Sequence, residues 1–191
     1  MPRLSSLAVS LSFVLVAFGC APATAPRLAD VTLRGGDGSV RPISEVARGA
    51  PLTVVTFFSA ACPCQRAHDP VLRDLFARFR GRGVAFVAVD SEARATPTAD
   101  AAEARERAYP YPLLTDAGGA LADALHAEYA TYSVILDTSL RVRYRGAIDS
   151  DKNHLHDDAR RYLGDALERL LAGGEPEHAE TEALGCTLRR R

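Results

Sequence analysis

Two seven-residue stretches, 52–58 (LTVVTFF) and 84–90 (VAFVAVD), are almost unbroken runs of apolar, largely β-branched positions. A segment with no polar face fits a strand covered on both sides of a sheet. Between them the period changes. Val71, Leu72, Leu75, Phe76 and Phe79 recur at spacings of three and four, which predicts an amphipathic helix. Gly81 and Gly83 end it. Two strands joined by a helix must run parallel.

Weaker patterns extend this frame. Residues 31–33 and 39–40 flank Gly35-Gly36-Asp37-Gly38 and predict a small hairpin. Residues 98–107, with Pro97 near the start, predict a surface helix. An extended piece over 111–116 and a helix around Leu121, Ala124 and Leu125 follow Tyr109-Pro110-Tyr111-Pro112, which is read as a rigid connector. Residues 133–137 and 141–148 predict two strands turning at Thr138-Ser139. A last helix is expected over 157–172, with Leu163, Leu167, Leu170 and Leu171 inward, stopped by Gly173-Gly174. The alternation implies a three-layer α/β/α fold around a central mixed sheet. Residues 31–174 form the domain and 175–191 a polar, flexible tail carrying Cys186.

The N-terminus has its own pattern. Arg3 precedes a mostly apolar stretch, 4–18, which is shorter than the roughly 20 residues of a membrane span. It reads as a signal segment, 1–19. Gly19-Cys20 at its end resembles a bacterial lipoprotein processing site, which implies a lipid on Cys20, a membrane anchor and an exported, periplasm-facing protein of the cell envelope. Plain secretion with cleavage after Ala21 or Ala23 is the alternative. Residues 20–30, rich in Pro and Ala, read as a tether.

Composition narrows the function. The 191 residues suffice for one domain with a real core. Hydrophobic residues are 47% and charged ones 25%, with a net charge of −1, so no strong field points to nucleic acid. Lys152 is the one lysine among 23 basic residues. Beyond Cys20 the cysteines are Cys62, Cys64 and Cys186, an odd number for an oxidising compartment.

Cys62 falls where a buried strand gives way to a helix, the end of an α/β sheet where sites collect. Free N–H groups and the helix dipole there favour a thiolate. Pro63 suits the first turn, where its missing donor costs nothing. Cys64 is the nearest partner, but a C-x-C disulfide closes a small, strained ring. Cys186 reaches back from the tail at modest loop-closure cost, and both stay open as partners. Asp90 and Asp116 close strands and are read as turn caps. The run 149–158, with His154 and His156, is read as a solvated loop leading to the last helix.

The segment 57–70, FFSAACPCQRAHDP, is similar to the active-site segment of thioredoxin-like redoxins. They share an aromatic pair, a small-residue loop and a proline eight residues after the first cysteine, met here by Pro70. VAFVAVDSE, YPLLTDAGGALADAL, VILDTSLRVRYRGAID and TEALGC resemble, in order, a bacterial redoxin family related to alkyl hydroperoxide reductase and thiol-specific antioxidant proteins. The resemblance implies a thioredoxin-like fold with Cys62 attacking a disulfide or peroxide and Cys64 or Cys186 resolving. It places Gln65 in the slot of the usual resolving cysteine and Thr131 in that of a cis-proline. It puts Ser59 in the slot of a peroxiredoxin threonine, while Val55 departs from the proline of that motif and Ala61 from a usual tryptophan. An external thiol reductant is implied, and no cofactor. The alternative is a non-catalytic carrier of a thiol or of Cu(I), held by Cys62, Cys64 and His68; His68 is otherwise read as a helix-surface residue.

Overall fold

In a computed structural model, residues 27–190 are described; the expected signal segment, Cys20 and most of the tether lie outside them. The chain runs β1 (Thr32–Arg34), β2 (Val40–Pro42), α1 (Ile43–Arg48), β3 (Leu52–Phe58), α2 (Pro63–Phe79) and β4 (Val84–Asp90). It continues through α3 (Pro97–Glu106), β5 (Leu113–Thr115), α4 (Ala120–Leu125), β6 (Ser133–Asp137), β7 (Val142–Gly146) and α5 (Tyr162–Leu171).

The strands form one mixed sheet in the order β2-β1-β5-β4-β3-β6-β7. β3, β4 and β5 are parallel, and β6 returns antiparallel against β3. β3 shows why its sequence had to be almost wholly apolar. Leu52, Val54 and Phe58 enter the core with Leu72, Leu75 and Phe79 of α2 and Leu163 and Leu167 of α5. Val55 and Phe57 point to the other face, with Leu121 and Leu125 of α4. Strand alternation feeds two cores at once, giving the thioredoxin-like three-layer arrangement the resemblance implied.

Three differences have physical causes. Helix α1 was not expected: six residues are too few for a periodic signal, and only Ile43 and Ala47 are buried. The last helix starts at Tyr162, not 157, because 150–160 closes into its own loop. There the Ser150 and Arg160 main chains pair, and the Asp151 carboxylate accepts from the His156 N–H at 2.5 Å.

The tail is not a free appendage. The Thr181 N–H donates to the Arg145 carbonyl and the Arg145 N–H to the Ala179 carbonyl, both at 3.0 Å, covering the edge of β7. Farther on, the tail pairs antiparallel with 128–130. Ala130 N–H donates to the Cys186 carbonyl, and Leu188 N–H to the Glu128 carbonyl, both at 2.8 Å. Leu188 is buried in the core beside α4.

Candidate active site

The loop after β3 turns tightly, with Cys62 N–H donating to the Ser59 carbonyl at 3.2 Å. Cys62 caps α2, and its Sγ accepts the Gln65 N–H at 3.4 Å. Pro63 holds the first helical position. The cap aims free amide dipoles at the sulfur, the arrangement that stabilises negative charge. Ser59 thus meets Cys62 through its main chain.

Cys186 arrives from the opposite side. Its Sγ lies 2.6 Å from that of Cys62. The sulfurs of Cys62, Cys64 and Cys186 all fall within 4.8 Å of one another, and all three are free thiols. Cys62 and Cys64 are buried and Cys186 half-buried, against the apolar cluster of Ala130 and Tyr132.

Burial and mutual proximity raise two of the three thiols. Burial, then the charge of Cys62, pushes the Cys64 thiol up. Burial, then the hydrogen bond and charge of Cys62, pushes Cys186 up to about 12. Cys186 therefore stays a thiol at neutral pH.

Thr131, in the slot expected for a cis-proline, adopts a left-handed φ of 70°, and the described residues contain no cis peptide. Its N–H donates to the Phe57 carbonyl at 2.7 Å, tying this loop to the end of β3. Gly185 crosses it so closely that a Cβ there would lie 1.6 Å from the Ala130 carbonyl oxygen and 2.8 Å from Thr131 Oγ1. The tail, rather than open solvent, faces this loop.

His68 corrects its expectation. It is buried, and both ring nitrogens are engaged: Nδ1 at 2.8 Å from the Cys64 carbonyl and Nε2 at 3.0 Å from Asp149 Oδ1. Burial alone would lower its pKa, but the Asp149 carboxylate and the Cys64 carbonyl hold it above the ordinary value. It is not the third ligand beside Cys62 and Cys64, and it anchors the first turn of α2 to the 149–158 loop.

Sequence reasoning missed a buried network under the active loop. Gln65 is fully buried, and its Nε2 donates to Asp69 Oδ1 at 3.0 Å and to the Tyr109 hydroxyl at 3.1 Å. Tyr109, read as connector, donates its hydroxyl to Asp69. Arg107 donates to Asp69 Oδ2 at 2.9 Å and to the Ala60 carbonyl at 2.8 Å, with its guanidinium 4.9 Å from the Phe58 ring centre. Asp69, Arg107 and Tyr109 thus fix the loop that presents Cys62. No spacing in the sequence announces them, since they come from α2 and from the connector after α3.

Asp90 and Asp116 cap turns as expected. Asp90 accepts the Glu92 N–H at 2.8 Å; Asp116 accepts the Ser91 hydroxyl and the Leu121 and Ala122 amides. Burial, with Asp100 and Glu92 close by, pushes Asp90 up to about 7.

Two solved structures of like size superpose along nearly their whole length. A hypothetical protein of Sinorhizobium meliloti 1021 is 24% identical, with a TM-score of 0.76 over 88% of this chain and 95% of its own. An uncharacterized conserved protein of Geobacillus kaustophilus is 26% identical, with a TM-score of 0.75 over 87% and 93%. A more distant fold relative is the Xanthomonas campestris bacterioferritin comigratory protein, described for alkyl peroxide reduction. It is 14% identical, with a TM-score of 0.56 over 76% of this chain and 92% of its own. Among curated proteins none matches the chain. The chain belongs to the AhpC/TSA family, whose pattern it matches over residues 24–151, and that membership suggests a thiol-based redox enzyme.

Proposed function

We propose that the protein reduces a peroxide or a small disulfide, with Cys62 as attacking thiolate and Cys186, rather than Cys64, as resolving thiol. The observation that carries this is the 2.6 Å approach of the Cys186 sulfur to the sulfur that caps α2. A formed disulfide has sulfurs about 2.05 Å apart, so closure needs little movement.

With a peroxide, the Cys62 thiolate attacks one oxygen. The O–O bond breaks, the alcohol or water leaves with a proton, and Cys62 becomes a sulfenic acid. With a disulfide, the S–S bond breaks instead, and Cys62 forms a mixed disulfide while a thiolate leaves. Either event removes the negative charge from Cys62. That charge helps hold Cys186 protonated, so its loss readies the second thiol. Cys186 then attacks the Cys62 sulfur, releasing water or the second thiol and forming the Cys62–Cys186 disulfide. An external thiol reductant supplies the two electrons that reset it.

A small substrate fits best. The Ala130 N–H, at the loop where an extended peptide would seek a main-chain partner, is bonded to the Cys186 carbonyl. The same reading places the protein in the cell envelope, held to the membrane by lipid on Cys20. It is supported by Arg3, the apolar run and Gly19-Cys20; a Cys20→Ser variant should lose membrane association on fractionation.

The central test is peptide mapping after hydrogen peroxide or glutathione disulfide. The expected product is Cys62 joined to Cys186 with Cys64 free. In Cys186→Ser, Cys62 should accumulate as a trappable sulfenic acid or a glutathione adduct. A Cys62–Cys64 disulfide, or an inert Cys62, overturns the assignment. The oxidant that reacts faster identifies the substrate class.

A further inference from the structure

The redox cycle leaves Cys64 idle. It is buried, it is a poor disulfide partner for Cys62 two residues away, and it nevertheless points its sulfur into the same cluster. We propose that Cys62, Cys64 and Cys186 in their reduced form make a three-thiolate site for a soft monovalent metal ion, Cu(I), with Cys64 the ligand that serves no other purpose. The proposal shares its sulfurs with the redox reading but not its chemistry.

Ligand type comes first. Among the described residues three sulfurs meet here with no histidine or carboxylate in the group, and thiolates select soft ions. Coordination number comes second. Zn(II) in a structural site takes four ligands, and His68, the nearest histidine in sequence to Cys64, has both ring nitrogens committed to Asp149 and the Cys64 carbonyl. A trigonal site suits Cu(I) and not Zn(II). Geometry comes third. Metal–thiolate bonds of about 2.3 Å set the sulfurs of a trigonal site about 4 Å apart. The three Sγ atoms already lie within 4.8 Å of one another. Only the Cys62–Cys186 pair, at 2.6 Å, must open, by roughly 1.4 Å. Cys186 is the half-buried member of the three, the other two being buried, so that movement falls on its side of the pair.

Thiol ligands give up their protons when the metal binds. Oxidation to the Cys62–Cys186 disulfide removes two of the three ligands. Binding and oxidation therefore exclude each other, and bound metal protects Cys62 from oxidant.

The test is an anaerobic titration of the fully reduced protein with Cu(I) presented as its bicinchoninate complex. The expected result is uptake of a single Cu(I) per chain, with near-ultraviolet thiolate-to-metal absorption. Cu(I) should slow alkylation of Cys64 by iodoacetamide, read by peptide mass, by about tenfold or more, and Cys64→Ser should bind Cu(I) about tenfold or more weakly. The protection measurement uses the unaltered protein, so it stands if the variant fails to fold. No uptake, or alkylation of Cys64 at the same rate with and without Cu(I), overturns the proposal. Zn(II) bound as tightly as Cu(I) overturns the trigonal assignment. The redox reading fails separately, if peroxide produces no Cys62–Cys186 disulfide in the metal-free protein.

Discussion

Arg107 is the residue on which the active loop rests. Its side chain is 1% exposed, beside an Asp69 carboxylate at 6%, and its second hand holds the Ala60 carbonyl. Removing one partner of a buried pair leaves the other as an uncompensated charge. Arg107→Met should therefore lower unfolding stability by about 3–5 kcal/mol, read by urea titration. The same variant frees the loop before Cys62, so the thiol should react more slowly with peroxide even well below the unfolding midpoint. Asp90 presents the opposite case, a buried carboxyl without a cation. Its folded pKa of about 7 lies above the unfolded value of about 3.9, so the folded state binds the extra proton between those limits. Stability from this group is full at acid pH and is lost as pH rises through about 7. Asp90→Asn keeps an oxygen for the Glu92 N–H and cannot ionise. It should be more stable than the parent at pH 8 by roughly 1–4 kcal/mol, with the difference closing toward pH 4 in paired denaturant titrations.

Elements differ in how plainly the chain announces them. β3 and β4 were legible as nearly unbroken apolar runs because a core lies on each side of the sheet, α2 because it buries one face of helical period, and the hairpin of β1 and β2 through its glycine-rich turn. Cys62 was legible for the same reason: strand end and helix start are both visible. The tail was not. Its residues from 175 to 187 are polar, and it is held by main-chain bonds to 128–130 and to Arg145, which leave no mark on side-chain pattern. His68 was misplaced because one buried hydrogen bond with Asp149, 81 positions away, decides its environment. One glycine shows how the tail is aimed. Any Cβ at 185 meets backbone, 1.6 Å from the Ala130 oxygen, so relief must come from lifting the tail itself. Gly185→Ala should slow formation of the Cys62–Cys186 disulfide by about tenfold or more, read by acid quench and mass spectrometry. The sheet and both cores should remain, read by unchanged far-ultraviolet dichroism. Disulfide formation at the parental rate would mean that the tail does not deliver Cys186 by this path.

At the scale of the whole molecule, the two sulfurs that meet are separated by 124 positions of sequence. Eight of the twelve strands and helices of the domain, from α2 to α5, lie inside the loop that their disulfide closes. Cross-linking so long a loop restricts the unfolded chain strongly while asking little of the folded one, because the tail is already docked when the thiols are free. Oxidation should then stabilise the domain by about 3 kcal/mol or more. For a chain of this length that corresponds to a rise in Tm of roughly 10 °C. The check is calorimetry of the oxidised protein with and without dithiothreitol. The gap should vanish on reduction and be absent in Cys186→Ser. The size of the gap also reports on the catalytic cycle. What oxidation adds to stability it subtracts from the oxidising power of the disulfide, since the same free energy appears in the folded redox couple. A large gap marks a disulfide that is hard to reduce and a protein that consumes external reductant to clear oxidants. A gap near zero marks a strained disulfide ready to pass its oxidation on. The reduced-state docking of the tail through Ala130, Glu128 and Leu188 argues for the former.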